Sequence, residues 1–359
     1  MENRFIHGGN IYKFFSDTNK KWLDFSANIN PLGMSDKVYA AIQNNIEGLV
    51  HYPDPAGTEL KKALSKFNHI PEASIVLGNG AVELLYTFFH TIKPKRVLLS
   101  IPAFSEYERA AMASGTEIIY NKLRVEDAFA IHWDKLRKNF VTVDCLVLGN
   151  PNNPTGNLLD IKDFEQCLIE AKENGVFVIV DESFIDFLPD GEKYTCRQFV
   201  KQYDNILILQ SMTKFYAIPG LRLGFAMTNE NLAAKLDLGK DPWNVNLLAQ
   251  KAGIAALNDK EYQTNTRIVV QREIAYLVAA LQKIVNLIVY RPVVNFILIN
   301  LSATKFSASS LQAALLKKNI LIRNCDNYPG LDRNYIRIAV KSRAENMQLI
   351  EALNEIIGE

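Results

Sequence analysis

Three short segments of this sequence bring together an amide, a carboxylate and an amine. They are Asn150-Pro151-Asn152-Asn153-Pro154-Thr155-Gly156, Asp181-Glu182-Ser183-Phe184 and Ser211-Met212-Thr213-Lys214, the last continuing through Pro219-Gly220-Leu221-Arg222-Leu223-Gly224. A lysine amine condenses with an aldehyde to a Schiff base, but only its deprotonated form attacks. Such a lysine has to be desolvated or set beside other positive charge, and Arg222 is the candidate for that charge. An aspartate at the end of a buried strand can keep a heterocyclic nitrogen protonated. Raising that nitrogen's pKa by about three units takes roughly 4 kcal/mol, within the range of one shielded ion pair. An amine for the aldehyde and an acid for the ring nitrogen are what pyridoxal phosphate requires of a protein.

Each segment follows a run that reads as a strand. Strands are predicted over 75–77, 96–101, 117–120, 144–148, 176–180, 206–209 and 223–227. Val176-Phe177-Val178-Ile179-Val180 and Ile206-Leu207-Ile208-Leu209 are apolar at every position rather than every second one, the pattern of strands covered by helices on both faces. The fold class is therefore α/β, with a mainly parallel seven-stranded sheet. Right-handed crossovers put all three segments on one rim of that sheet, beyond the carboxyl ends of its strands, where such folds bind ligands. The loop Gly78-Asn79-Gly80-Ala81-Val82-Glu83 opens a helix whose free amides and positive dipole end suit a phosphate. It lacks the third glycine of a dinucleotide fingerprint.

After about Thr264 the pattern changes to a long amphipathic helix over 267–284, then strands over 295–301, 320–323 and 335–340. The opening of the chain is rich in Gly, Asn and Pro (Gly8-Gly9-Asn10, Asn28-Ile29-Asn30-Pro31) and is assigned with this second region. The expected division is a large domain over 35–264 and a small α+β domain from 1–34 and 265–359.

Composition narrows the partners. In 359 residues there are 40 Lys plus Arg against 39 Asp plus Glu, a net charge of +1. No basic run exceeds the pairs Lys20-Lys21 and Lys317-Lys318, so the footprint of a nucleic-acid binder is absent. Cys145, Cys167, Cys196 and Cys325 are too few for a disulfide framework, and none has metal or redox spacing. Met1-Glu2-Asn3-Arg4-Phe5 opens no apolar stretch, and no run approaches a membrane span. A soluble cytoplasmic protein with a small-molecule partner is expected.

In order and spacing, Asn-Pro-Asn-Asn-Pro-Thr-Gly, Asp-Glu-x-Phe and Ser-x-Thr-Lys-x-Tyr-Ala-x-Pro-Gly-Leu-Arg-x-Gly resemble the fold-type I pyridoxal-phosphate enzymes, in the branch containing the histidinol-phosphate aminotransferases. Within that branch, His7-Gly8-Gly9-Asn10, Leu23-Asp24-Phe25-Ser26-Ala27-Asn28-Ile29-Asn30-Pro31-Leu32-Gly33, Phe184-Ile185-Asp186-Phe187 and Asn327-Tyr328-Pro329-Gly330-Leu331 are similar to the threonine-phosphate decarboxylases. The resemblance implies that Lys214 bonds to the cofactor aldehyde, Asp181 pairs with the pyridine nitrogen and Asn153 meets the ring's phenolic oxygen. It places Ser211, Arg222 and the Gly80-Ala81-Val82 turn at the cofactor phosphate, Phe104 stacked on the ring and Phe184 beside it. Tyr52 falls where a tyrosine reaches the neighbouring subunit's phosphate, which implies a homodimer.

For the substrate, the resemblance implies that Arg337 grips the α-carboxylate, a planar group suited to guanidinium. Arg323, His7 and Asn10 form the candidate set for the substrate phosphate, with Asn28 as a further contact. The activity implied is decarboxylation of L-threonine O-3-phosphate to an aminopropanol phosphate for cobalamin. Histidinol-phosphate aminotransferase is the alternative, and a ligand-sensing module without turnover is disfavoured by the joint presence of Lys214, Asp181 and Asn153. Phe184 favours the decarboxylase, because aminotransferases of the branch usually carry a tyrosine hydroxyl there.

Overall fold

Aliphatic and β-branched side chains pack well on a pleated surface, and seven runs of them meet here in one sheet. The structure is a computed structural model that describes residues 6–13 and 22–358; the 1–5 segment and the Lys20-Lys21 pair lie outside the described residues. After the short strand β1 (Leu23–Asp24) come β2 (Ile75–Gly78), β3 (Arg96–Ile101), β4 (Glu117–Lys122), β5 (Cys145–Gly149), β6 (Phe177–Asp181), β7 (Ile206–Ser211) and β8 (Gly224–Thr228). Strands β2 to β8 form one sheet in the order β2-β8-β7-β6-β5-β3-β4. Only β8 runs against its neighbours, antiparallel to both β2 and β7. The mainly parallel seven-stranded sheet expected from the sequence is present, and no strand end lies more than two residues from its predicted place.

Successive residues of each strand enter opposite cores. Leu146, Val178 and Ile208 pack into one apolar cluster and Val147, Ile179 and Leu207 into another, on the other face. Strands β2, β5, β7 and β8 are consequently buried at every position, whereas the edge strand β4 has no fully buried residue.

The second region holds β9 (Ile288–Val289), β10 (Phe296–Asn300), β11 (Ile320–Leu321), β12 (Arg323–Asn324) and β13 (Tyr335–Ala339). Its antiparallel sheet has the order β12-β13-β10-β9, while β11 pairs in parallel with β1. The single strand expected over 320–323 is thus two. Phe25 N–H donates to Leu321 O at 2.8 Å and Cys325 N–H to Tyr335 O at 3.0 Å, so two partners claim the two ends of that run. The long helix also begins earlier than expected and ends earlier, at Lys260–Leu281. Asp259 caps it by accepting from Tyr262 N–H, and the buried positions Thr266, Val270, Glu273, Leu277 and Leu281 face inward at helical spacing. Among the described residues, no helix is long and apolar enough to cross a membrane.

The opening segment bridges the two sheets. Ala339 N–H donates to Phe25 O at 2.8 Å, Asn30 N–H to Lys214 O at 3.0 Å, and the Asn30 amide to Phe215 O at 2.6 Å. At the rim, Gly224 lies opposite Gly78 in the ladder. A Cβ at Gly224 would stand 2.3 Å from the backbone nitrogen of Ala81, at the start of the helix Ala81–Ile92. Gly224→Ala must therefore push that helix off the sheet. We expect a loss of about 1–3 kcal/mol in stability, read as a lower midpoint of denaturant unfolding; an unchanged midpoint would contradict the close approach.

Candidate active site

Strand β7 ends at Ser211, which caps the one-turn helix Met212–Phe215 by accepting from Thr213 N–H. That turn brings Lys214 back over the strand ends, where its Nζ donates to Ser211 Oγ at 2.9 Å and lies 5.6 Å from the Phe184 ring centre. Burial pulls the amine's pKa down to about 8; the Asp181 charge opposes this and the Arg222 charge adds to it. At pH 7 roughly a tenth of such an amine is unprotonated, against about one part in a few thousand for an ordinary lysine.

Asp181 closes β6, and its two oxygens are both engaged. Oδ2 accepts from the Tyr107 hydroxyl at 2.8 Å and Oδ1 from Ser183 N–H at 2.9 Å. Burial, and then the Asp181 charge, push the Tyr107 hydroxyl well above the usual phenol range, so it stays a donor. The neighbouring Glu182 points to the other face of the strand, accepting from the Thr195 hydroxyl and Cys196 N–H, both at 2.6 Å, and burial raises its pKa to about 7 despite those bonds. The two-residue period of a strand thus sends one acid into the crevice and the other into the core.

A third wall is the start of the helix Ala81–Ile92. Its N-cap, Gly80, has φ of 86° and offers no side-chain cap, which leaves the first amides of the helix unspent. The place of a Gly80 Cβ is taken by the Arg222 guanidinium, whose Nη2 would be 2.3 Å from it. The resulting crevice is lined by Ala81, Val82, Phe104, Asn153, Asp181, Phe184, Ser211, Lys214 and Arg222, all named from the sequence. Phe104 meets Tyr107 edge-to-face at 5.7 Å.

The smaller sheet supplies two arginines on one face, since Arg323 on β12 lies directly opposite Arg337 on β13. Arg337 is buried; its Nη1 donates to Asn153 Oδ1 at 2.5 Å, its Nη2 to Ser26 O at 2.8 Å, and its buried Nε–H has no partner. Arg323 donates to Ile6 O at 2.6 Å, to Asn327 Oδ1 at 2.7 Å and to Asn324 O. The Tyr328 ring lies 5.0 Å from the Arg323 guanidinium, and its hydroxyl is 3.5 Å from Arg337 Nη1. Asn28 is buried with its Oδ1 unpartnered.

His7 Nε2 is 2.6 Å from Glu106 Oε1, with its ring 5.5 Å from that of Phe104. The structure does not bring every expected residue together. Asn10 is exposed, and Tyr52 is 82% exposed, set against Trp243 at 5.0 Å away from this chain's crevice. Tyr107, Ser183, Tyr328 and Glu106 carry contacts that sequence reasoning did not assign. Among the described residues no group of His, Cys, Asp or Glu is placed to hold a metal ion.

Comparison with known proteins gives consistent relatives. The family model for aminotransferases of class I and II matches residues 20–353. The chain is 38% identical to the threonine-phosphate decarboxylase of Salmonella typhimurium, over 98% of this chain and 96% of that one. It is 34% identical to the adenosylcobalamin biosynthesis bifunctional protein CobDQ of Leptospira interrogans, over 98% of this chain and 41% of that one. Among solved structures it is similar to the histidinol-phosphate aminotransferase of Clostridium acetobutylicum, with TM-score 0.88 and 33% identity over 93% of this chain and 98% of that one. It is also similar to the L-threonine-O-3-phosphate decarboxylase of Porphyromonas gingivalis, with TM-score 0.83 and 28% identity over 94% and 100%.

The Lys214 environment makes a signed prediction. Only the free amine captures an aldehyde, so borohydride trapping of a small aldehyde at Lys214, located by peptide mapping, should rise with pH through a midpoint near 8. Asp181→Asn removes a stabilising anion and should move the midpoint down; Arg222→Ala removes a repelling cation and should move it up. Shifts of the opposite sign would refute this account.

Proposed function

Since the chain belongs to the class I and II aminotransferase family, we propose that it is a pyridoxal-phosphate-dependent decarboxylase, a carboxy-lyase of the cytoplasm. Its substrate is L-threonine O-3-phosphate and its product (R)-1-amino-2-propanol O-2-phosphate, in cobalamin biosynthesis. The observation that carries this reading is the cross-strand pair Arg323 and Arg337. Like charges placed directly opposite destabilise a sheet unless an anion joins them. Threonine phosphate meets both arginines at once with a carboxylate and a phosphate on one small skeleton, whereas a transaminase would meet them in turn, with the phosphate of histidinol phosphate and the carboxylates of 2-oxoglutarate.

The crevice fits the cofactor. The uncapped amides at Ala81 and Val82 and the Arg222 guanidinium suit its phosphate, Asp181 its ring nitrogen and Lys214 its aldehyde, with Phe104 beside the ring. When bound, pyridoxal phosphate supplies a sink for the electrons of a bond broken at the substrate's Cα. The protein's own part is to choose that bond. Arg337, with an unspent Nε–H, holds the carboxylate, and Asn28 offers an unpaired acceptor to the substrate amine. Arg323, His7 and Asn10 take the phosphate end. Lys214 would deliver a proton to Cα in place of the carbon dioxide that leaves, a task suited to an amine titrating near 8. Phe184 sits beside that amine without a hydroxyl to compete for it.

We also assign the protein as a homodimer. Tyr52 and Trp243 are exposed together, with exposed Leu49 and Val50 adjoining in sequence, the kind of apolar surface that marks an interface. Tyr52 would cross it to the partner's cofactor phosphate.

Carbon dioxide release from threonine phosphate, set against 2-oxoglutarate-dependent loss of histidinol phosphate, tests the reaction. Turnover in the second assay alone would overturn the choice. Lys214→Ala should abolish both turnover and the visible absorbance of the cofactor-loaded protein. Asp181→Asn should keep most of the cofactor yet lose most of kcat; a near-normal rate would remove Asp181 from its role. Mixing Lys214→Ala with Tyr52→Ala chains should restore activity that neither has alone, because one crevice in each mixed dimer then has both residues. No recovery on confirmed subunit exchange would refute the shared site.

A further inference from the structure

We propose that Glu106 is a positioning residue for the substrate phosphate: its buried carboxylate fixes the His7 ring beside Arg323. This rests on the decarboxylase reading above and adds to it the group that orients His7. Glu106 follows Phe104 on the helix Ser105–Ala113 and is only 5% exposed. A carboxylate so far from water requires a compensating charge. Its Oε1 lies 2.6 Å from His7 Nε2, its Oε2 accepts from the Tyr86 hydroxyl at 3.2 Å, and the half-exposed Arg109 stands 3.6 Å away. Burial acts to raise the Glu106 pKa, but the bond to His7 and the charges of His7 and Arg109, with Tyr86 adding a further bond, bring it below the ordinary range.

The backbone around His7 shows why its placement matters. Gly8 lies so close to Ser26 that a Cβ there would be 2.0 Å from Ser26 O, and Gly9 N–H donates to Ser26 Oγ at 2.8 Å. The same Ser26 O receives Arg337 Nη2, and Ile6 O receives Arg323 Nη2. Residues 6–9 are therefore fastened to Arg323 directly and to Arg337 through Ser26, and His7 ties them to the helix Ser105–Ala113. Arg323 is met by Ile6 O, Asn324 O and Asn327 Oδ1, neutral acceptors that leave its charge uncompensated. Arg323 and a fixed His7 ring together suit the phosphate end, while Arg337 is left to the carboxylate.

Glu106→Gln keeps the shape and the Tyr86 contact but removes the charge. In the cofactor-loaded enzyme, KM for threonine phosphate should rise about tenfold, the order of one lost hydrogen bond to a charged group. In the same variant kcat and the visible absorbance should stay within about twofold. Glu106→Asp should recover part of the loss, His7→Gln should match it, and the double variant should be no worse than either. An unchanged KM, additive losses, or an equal loss with unphosphorylated L-threonine would each overturn the proposal. Calorimetric titration with inorganic phosphate separates this inference from the reaction assignment. If the wild type released no carbon dioxide yet bound phosphate about tenfold tighter than Glu106→Gln, the assignment would fall and the positioning role would stand. Equal phosphate binding by the two would overturn the role whatever the reaction. Should Glu106→Gln fail to fold, His7→Gln, altered at a half-exposed side chain, carries the same comparison.

Discussion

The site depends on taking one lysine amine out of water without leaving it isolated. Lys214 is desolvated by the crevice walls, and its Nζ has one hydrogen bond, to Ser211. Asp181 favours the charged form and Arg222 the neutral one. The pKa of about 8 records the outcome of that contest. If Asp181 prevailed alone, the amine would remain protonated and inert toward carbonyls. If burial acted alone, the same amine would lose the proton it needs for the later half of the chemistry.

That balance is a product of sheet geometry. Parallel strands β5, β6 and β7 end side by side, with Gly149 in register with Asp181 and Asp181 with Leu209. The acid, the amide loop and the lysine turn are thereby delivered to one rim from segments far apart in the chain. Glycine lets the remaining wall come near. At Gly80 a side chain would displace the Arg222 guanidinium, and at Gly224 it would collide with the helix that presents the anion-binding amides. The second sheet faces this rim and contributes only what a substrate needs, two arginines and the asparagines and tyrosine around them.

Much of this was legible in the residue order. Strands buried on both faces announce themselves by unbroken apolar runs, and the polar motifs stand at their ends, so nine of the residues lining the crevice could be named from the motifs, though Leu85, Tyr107 and Leu209 could not. What was hidden has a common cause. The Tyr107–Asp181 bond joins residues 74 apart, and the His7–Glu106 bond residues 99 apart. Each sets an acidic side chain beside a partner that no local pattern distinguishes from an ordinary core aromatic or a surface histidine. Likewise Ile320-Leu321-Ile322-Arg323 reads as one strand; only the competing claims of β1 and β13 divide it.

The pairing of β1 with β11, and of Phe25 O with Ala339 N–H, joins the two extremities of the polypeptide. All seven strands of the large sheet have been made once the ribosome has passed Thr228, so the cofactor half can begin to fold while translation continues. The half that grips substrate must wait for Tyr335–Ala339. A nascent or truncated chain would thus acquire its electron-sink pocket before any means of choosing what enters it, and the opening residues would have to be kept unpaired until the last strand arrives.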